Sequence, residues 1–259
     1  GLTETTALLE RLGFSSIARR PAHYGLGLTL GSLDVQLLEL VEAYAVLARG
    51  GVLRPPRIRA DSPQGEPARV LDPHLAWLVS DALSDPQARA NQFGARSVLR
   101  TPYWSAVKTG TSKGFRDNWC VGYSRRFTVG VWVGDPAGRP MDHVTGVTGA
   151  GPIWRDVMDL LAERTPSPSP DPPAGLESAD VCPLSGARPG PHCPGTKREW
   201  FAPSTTPTHT CTFHREVRLS TADGLPVFFV QDAPPAIPTQ RIFQLLRSRH
   251  VCSGRALFT

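Results

Sequence analysis

The sequence predicts an α/β fold, an antiparallel sheet backed by helices, followed by a small cysteine-containing module. Three observations carry that expectation. Residues 103–134 hold three short runs of β-branched and aromatic residues separated by turn signals. Leu37, Val41, Tyr44, Ala45 and Ala48 recur at helical spacing ahead of them. Prolines at 166, 168, 170, 172 and 173 then separate this part from a stretch holding Cys182, Cys193 and Cys211.

Taken in order, residues 3–13 read as the end of an amphipathic helix, with Leu8, Leu9 and Leu12 on one side and Gly13 stopping it. Residues 24–31 alternate glycine with apolar residues, which predicts a loop or strand passing close to another backbone. The helix through Leu37–Ala48 ends at Gly50-Gly51. Residues 54–72, rich in Pro, Arg and Asp, form a loop, and 73–84 carry a second helix with Leu75, Leu78, Val79 and Leu83. The meander follows, with strands at 104–112, 119–123 and 127–133. A glycine-rich loop at 145–151 leads to a helix at 152–163, with Pro152 in its first turn. The expected domains are 1–164, a proline-rich linker at 165–177 without apolar anchors, a small module at 178–225 and a tail of unassigned structure at 226–259.

Composition narrows the function classes. The 259 residues carry a formal charge of +5, but Lys occurs only at 108, 113 and 197, and no basic stripe interleaves with aromatics. No nucleic-acid partner is expected. No apolar run is long enough to span a bilayer. Gly-x-Ser-x-Gly, His-Glu-x-x-His and phosphate-loop patterns do not occur. His143 reads as a surface-loop residue near the cleft, and Cys120 as a core thiol in a strand.

The informative segment is Lys108-Thr109-Gly110-Thr111-Ser112. It closes an apolar strand, a polar turn follows, and the next strand opens with Arg116-Asp117-Asn118-Trp119. A Gly at a strand edge lets a ligand backbone approach, and a lysine beside it offers a fixed cation. Together with Trp119-Cys-Val-Gly-Tyr123 and the run 127–136 (FTVGVWVGDP), this resembles the class A penicillin-binding proteins, the serine transpeptidases whose third motif is Lys-Thr-Gly, and within them the 1C subgroup. The run 38–56 (LELVEAYAVLARGGVLRPP), the run 150–158 (AGPIWRDVM), Cys182-Pro-Leu-Ser-Gly186, Glu199-Trp-Phe201 and Cys211-Thr-Phe-His214 extend the resemblance to about residue 220.

The resemblance implies part of a β-lactamase-like transpeptidase fold and D,D-transpeptidation of peptidoglycan stem peptides ending in D-alanyl-D-alanine, with β-lactams as inhibitors. It implies Lys108 as the catalytic-site cation, and Thr109, Gly110, Thr111 and Ser112 as substrate-binding residues, their hydroxyls donating to the terminal carboxylate. It also implies an extracytoplasmic parent, anchored in the inner membrane and carrying a glycosyltransferase domain upstream. The family's Ser-x-x-Lys nucleophile motif and its Ser-x-Asn motif have no counterpart here. Ser105-Ala-Val-Lys108 matches the first literally, but the two residues share a strand at odd separation and so face opposite ways. The expectation is a truncated chain, inactive alone. A D,D-carboxypeptidase or β-lactamase on the same scaffold, or a non-catalytic cell-wall-binding fragment, are the competing readings.

Cys182, Cys193, Cys211 and His214 admit two readings, a Cys₃His zinc site or a disulfide within the trio. Because only one closely spaced ligand pair exists and the resemblance implies an extracytoplasmic, oxidising compartment, the expectation is a disulfide, with no metal and no cofactor.

Overall fold

A computed structural model describes residues 1–165 and 167–215 (the side chain of Asn91 excepted), together with the backbone of 217–220 and 239–242. The chain divides into two compact units, Gly1–Ala174 and Gly175–Thr259.

The first unit opens with helix α1 (Leu2–Arg11). The Gly-rich stretch forms neither loop nor strand. It folds as a short helix α2 (Pro21–Tyr24) and a 3₁₀ turn, Leu26–Leu30. Gly25 and Gly31 sit at φ +61° and +86°, and nothing lies within 4 Å of where a Cβ would stand. These glycines serve turns, not the close approach expected of them.

Helix α3 (Leu37–Ala48) follows, then strands β1 (Val52–Leu53) and β2 (Ala68–Arg69), a two-residue antiparallel ladder whose second strand lies within the expected loop. Helix α4 (Pro73–Ser84) is capped by the Asp72 carboxylate, which accepts from the backbone N–H groups of His74 and Leu75. Helix α5 (Pro86–Phe93) was not expected, and Asp85 caps it in the same way through Gln87 and Ala88.

Strands β3 (Ala106–Thr111), β4 (Asp117–Tyr123) and β5 (Thr128–Gly134) form an antiparallel sheet in the order β3-β4-β5. Register pairs Lys108 with Val121, Gly110 with Trp119 and Cys120 with Val131. Helix α6 (Ala150–Arg164) closes the unit, two residues earlier at its start than the sequence suggests, with Pro152 in the first turn where no N–H is needed.

Strand alternation sorts the sheet into two faces. One presents Val107 and Cys120 to α6, and with Leu99, Ala150, Trp154 and Met158 they make a fully buried cluster. The other meets α3: a Cβ on Gly130 would touch Val41 and Leu37. Tyr123 is wholly buried on that face, its hydroxyl 2.8 Å from Ser80 Oγ on α4.

The proline run is not free of anchors, as its composition suggested. Trp77 Nε1 donates to the Pro170 carbonyl at 3.2 Å, the backbone N–H of Arg125 donates to Ser167 Oγ at 3.1 Å, and His74 Nε2 lies 2.9 Å from the Ala174 carbonyl. The division between units therefore falls at the end of the run rather than at its beginning.

The second unit pairs β6 (Glu177–Val181) with β7 (Lys197–Phe201), antiparallel, with Val181 opposite Lys197. Strands β8 (Val217–Ser220) and β9 (Thr239–Ile242) pair antiparallel as well. Most of the tail assigned to 226–259, and Cys252 within it, lie outside the described residues.

Candidate functional site

Strand β3 is an edge of its sheet, and the register decides which of its backbone groups face outward. The Ser112 N–H donates to the Asp117 carbonyl at 2.9 Å. Hydrogen-bonded pairs recur every second residue in an antiparallel ladder, so Gly110 and Lys108 also turn their backbone toward β4. The N–H and C=O of Thr109 and Thr111 consequently point to the open edge, where an extended peptide could pair with them.

Beside that edge lies a cleft of about 500 Å³. Its floor is Lys108–Ser112 with Trp119 and Val121, and its opposite wall is apolar, including Leu28, Leu33, Leu40 and Tyr44. Burial raises the Tyr44 phenol, with the Cys120 sulfur adding to the effect, so the hydroxyl on that wall stays protonated.

The residues singled out in the sequence take distinct positions. Lys108 is exposed on the α3 face, and its ammonium donates to the Thr109 carbonyl at 2.5 Å. Thr109 is buried on the opposite face, so the open edge presents its backbone and not its hydroxyl. Thr111 Oγ1 accepts from the Gly146 N–H at 2.9 Å, which leaves its own proton to donate. Ser112 is committed to a turn: its hydroxyl donates to Asp117 Oδ2 at 2.8 Å and accepts from the Asp117 N–H at 2.9 Å. Gly110 faces Trp119, whose Cβ stands 3.6 Å from where a Gly110 Cβ would lie.

Ser105 sits just before β3, almost wholly buried, its Oγ 2.8 Å from Thr101 Oγ1. It is held by structure and is not paired with Lys108. His143 lies on an exposed loop against the Phe115 ring, with centroids 5.3 Å apart.

Two contributors were missed. Asp117 organises the turn after the motif, holding Ser112 and accepting from Trp132 Nε1 at 3.0 Å. Gly146 presses so close to β3 that a Cβ there would stand 2.5 Å from the Gly110 carbonyl. The Ser112-to-Asp117 spacing around a Lys-Gly turn was a usable signal for the first. Nothing local in the sequence marks the second, because its partner is remote.

In the second unit the disulfide expected within the cysteine trio does not form. Cys182, Cys193 and Cys211 are all free thiols. The reason is geometric: the three sulfurs surround one imidazole nitrogen instead of pairing, with His214 Nδ1 at 3.4, 3.5 and 3.5 Å from them in that order.

Comparison with known proteins matches both units. The family profile described as the penicillin binding protein transpeptidase domain matches residues 5–159, and the profile for the penicillin-binding protein 1A C-terminal domain matches 172–216. Penicillin-binding protein 1C of Escherichia coli (strain K12) is 29% identical over 177 residues, 68% of this chain and 22% of that protein. Penicillin-binding protein 2D of Bacillus subtilis (strain 168) is 26% identical over 239 residues, 83% of this chain and 34% of that protein. The chain thus spans 22% and 34% of the length of these two relatives. Among solved structures, penicillin-binding protein 1A from Haemophilus influenzae superposes with a TM-score of 0.65 at 22% identity, covering 81% of this chain and 38% of the other. PonA1 from Mycobacterium tuberculosis gives 0.52 at 23% identity, covering 66% and 52%. These two share the fold.

Proposed function

Since the chain belongs to the penicillin-binding protein transpeptidase family, we propose that it forms the substrate-holding wall of a peptidoglycan D,D-transpeptidase whose serine nucleophile lies in sequence outside these 259 residues. The observation that supports the reading is the Lys108–Ser112 strand at an open sheet edge, lining a cleft with one apolar wall.

A stem peptide ending in D-alanyl-D-alanine is extended, so it would lie along β3 as an added strand and pair with the outward backbone of Thr109 and Thr111. The Lys108 ammonium would face its terminal carboxylate, and the Thr111 hydroxyl would donate to the same group. Attack of a serine oxygen on the penultimate carbonyl would release the terminal D-alanine and leave an acyl-serine for a second peptide's amine to resolve. A β-lactam would acylate the same serine. Location outside the cytoplasm, membrane anchoring and a glycosyltransferase partner domain in the parent belong to this proposal. Among the described residues no helix is long and apolar enough to cross a membrane.

Fluorescent penicillin followed by denaturing electrophoresis and intact mass tests the reading. This chain alone should form no covalent adduct. Joined to the coding sequence upstream of Gly1 it should label, and Lys108→Ala should then slow labelling about a hundredfold, the usual cost of removing one electrostatic partner of the reacting group. An adduct on the isolated chain that Ser105→Ala abolishes would show Ser105 to be a nucleophile after all. Equal labelling of the joined protein without Lys108 would remove the lysine from the mechanism.

A further inference from the structure

Among the described residues, the second unit buries few apolar side chains. Its buried apolar side chains, among the described residues, are Val181, Cys182, Ala187 and Cys211. The first unit, by contrast, buries a cluster built on Trp154 and Met158. So few buried apolar side chains within residues 175–215 leave that stretch much to gain from a cross-link.

The side chains that converge in its centre supply one. Cys182 follows directly on β6, at the head of a turn in which the Gly186 N–H donates to the Cys182 carbonyl at 2.9 Å and the Cys182 N–H to the Ala187 carbonyl at 2.8 Å. Gly186 takes φ +68°, which lets the turn close. Cys193 stands on a second turn, its sulfur accepting from the Gly190 N–H at 3.3 Å. Cys211 and His214 come from a third segment, zipped to the first: Arg188 N–H donates to His209 and Cys211 N–H to Arg188, at 3.0 and 2.7 Å. Three separate stretches of chain are thereby fixed by backbone hydrogen bonds with their ligand atoms all within 4.8 Å of one another.

We infer that Cys182, Cys193, Cys211 and His214 hold one structural zinc ion. Tetrahedral zinc with Zn–S near 2.3 Å and Zn–N near 2.0 Å requires N···S edges of about 3.5 Å. The three Nδ1···S distances are 3.4, 3.5 and 3.5 Å. A disulfide would need two of the sulfurs about 2.05 Å apart and would strand the third. Three thiols are odd in number, whereas the imidazole completes a set of four. Thiolate and imidazole ligands suit zinc over magnesium or calcium, and four protein ligands leave no open position, so the ion cross-links and does not catalyse. Each thiol gives up its proton to solvent on binding. The site replaces the disulfide and the absence of metal anticipated from sequence, and it does not depend on the transpeptidase reading.

The full chain, purified without chelator, is the material for the test. Elemental analysis should find one zinc per chain, and cobalt exchanged into the site should give the intense visible bands of tetrahedral thiolate coordination. Cys211→Ser and His214→Ala should lose stoichiometric metal, while His214→Cys, which keeps four ligands, should retain it. Wild-type protein that holds no stoichiometric zinc after dialysis against excess zinc would overturn the assignment. So would peptide mapping that finds two of the three cysteines joined in a disulfide, or a cobalt spectrum of octahedral character.

Discussion

At the scale of single residues, Cys120 shows how packing sets chemistry. It is wholly buried between the sheet and Trp154. Burial pushes its thiol from 9.0 up to about 12, with the Arg89 and Lys108 cations offsetting part of the effect. Below pH 9 the thiol is neutral whether the chain is folded or not, and its burial costs nothing. Between pH 9 and 12 the unfolded chain releases the proton and the native state keeps it, so stability falls as pH rises, by at most about 1.4 kcal/mol per pH unit from this group. Cys120→Ala should therefore flatten the decline in melting temperature between pH 9 and 10, before Tyr123, raised to about 12 by its burial, begins to contribute. An unchanged slope in the variant would mean that the alkaline loss comes from elsewhere. The core thiol and Lys108 were legible as residues in the sequence. The sorting of the three hydroxyls near Lys108 was not, because it depends on which face each side chain takes and on partners such as Gly146, 35 positions from Thr111.

At the scale of elements, two strand glycines set how near the helices come. A Cβ on Gly122 would stand 2.5 Å from Trp154 Cζ2 and 2.7 Å from the Ala106 carbonyl. A Cβ on Gly130 would meet Val41 Cγ2 at 2.3 Å and Leu37 Cδ1 at 3.1 Å. The first obstacle includes backbone and a large buried ring, and the second consists of the ends of aliphatic side chains that can turn aside. Gly122→Ala should cost roughly 1–3 kcal/mol or more, as overpacking does, and Gly130→Ala distinctly less. Denaturant unfolding of the two variants would show it, and the reverse order would mean that α3 is the more rigid support. The meander and the long helices were readable because their apolar periodicity is strong. Helix α5 was not, since residues 86–93 (PQARANQF) carry no apolar stripe, although Asp85-Pro86 is a start signal that could have been heeded. The short turns of residues 21–30 escaped because alternating glycine fits a strand pattern as readily as a turn.

At the scale of the molecule, the boundary between units has a consequence for proteolysis. The proline run is tied to α4 through Trp77 and His74, so a protease should spare it and cut first beyond Ala174, leaving an N-terminal piece of about 174 residues. Mass measurement of the first stable fragment decides this, and an early cut at 167–173 would show that those hydrogen bonds do not protect the run. The change of composition at the proline run was legible in the sequence. The attachment of the run to the first was not, because it rests on backbone carbonyls, which every sequence has.

The open edge of β3 carries a cost of its own. A site that recognises its ligand through Thr109 and Thr111 backbone groups reads extension, not side-chain identity, and it accepts any strand that presents the complementary row of N–H and C=O. Another copy of this chain presents such a row. If the proposed peptide docking holds, the backbone atoms that would take a substrate strand would also take a strand from another copy. A short extended peptide that fills the edge should then keep copies apart, and Thr109→Pro, which removes an N–H from the edge, should weaken peptide docking and self-association together.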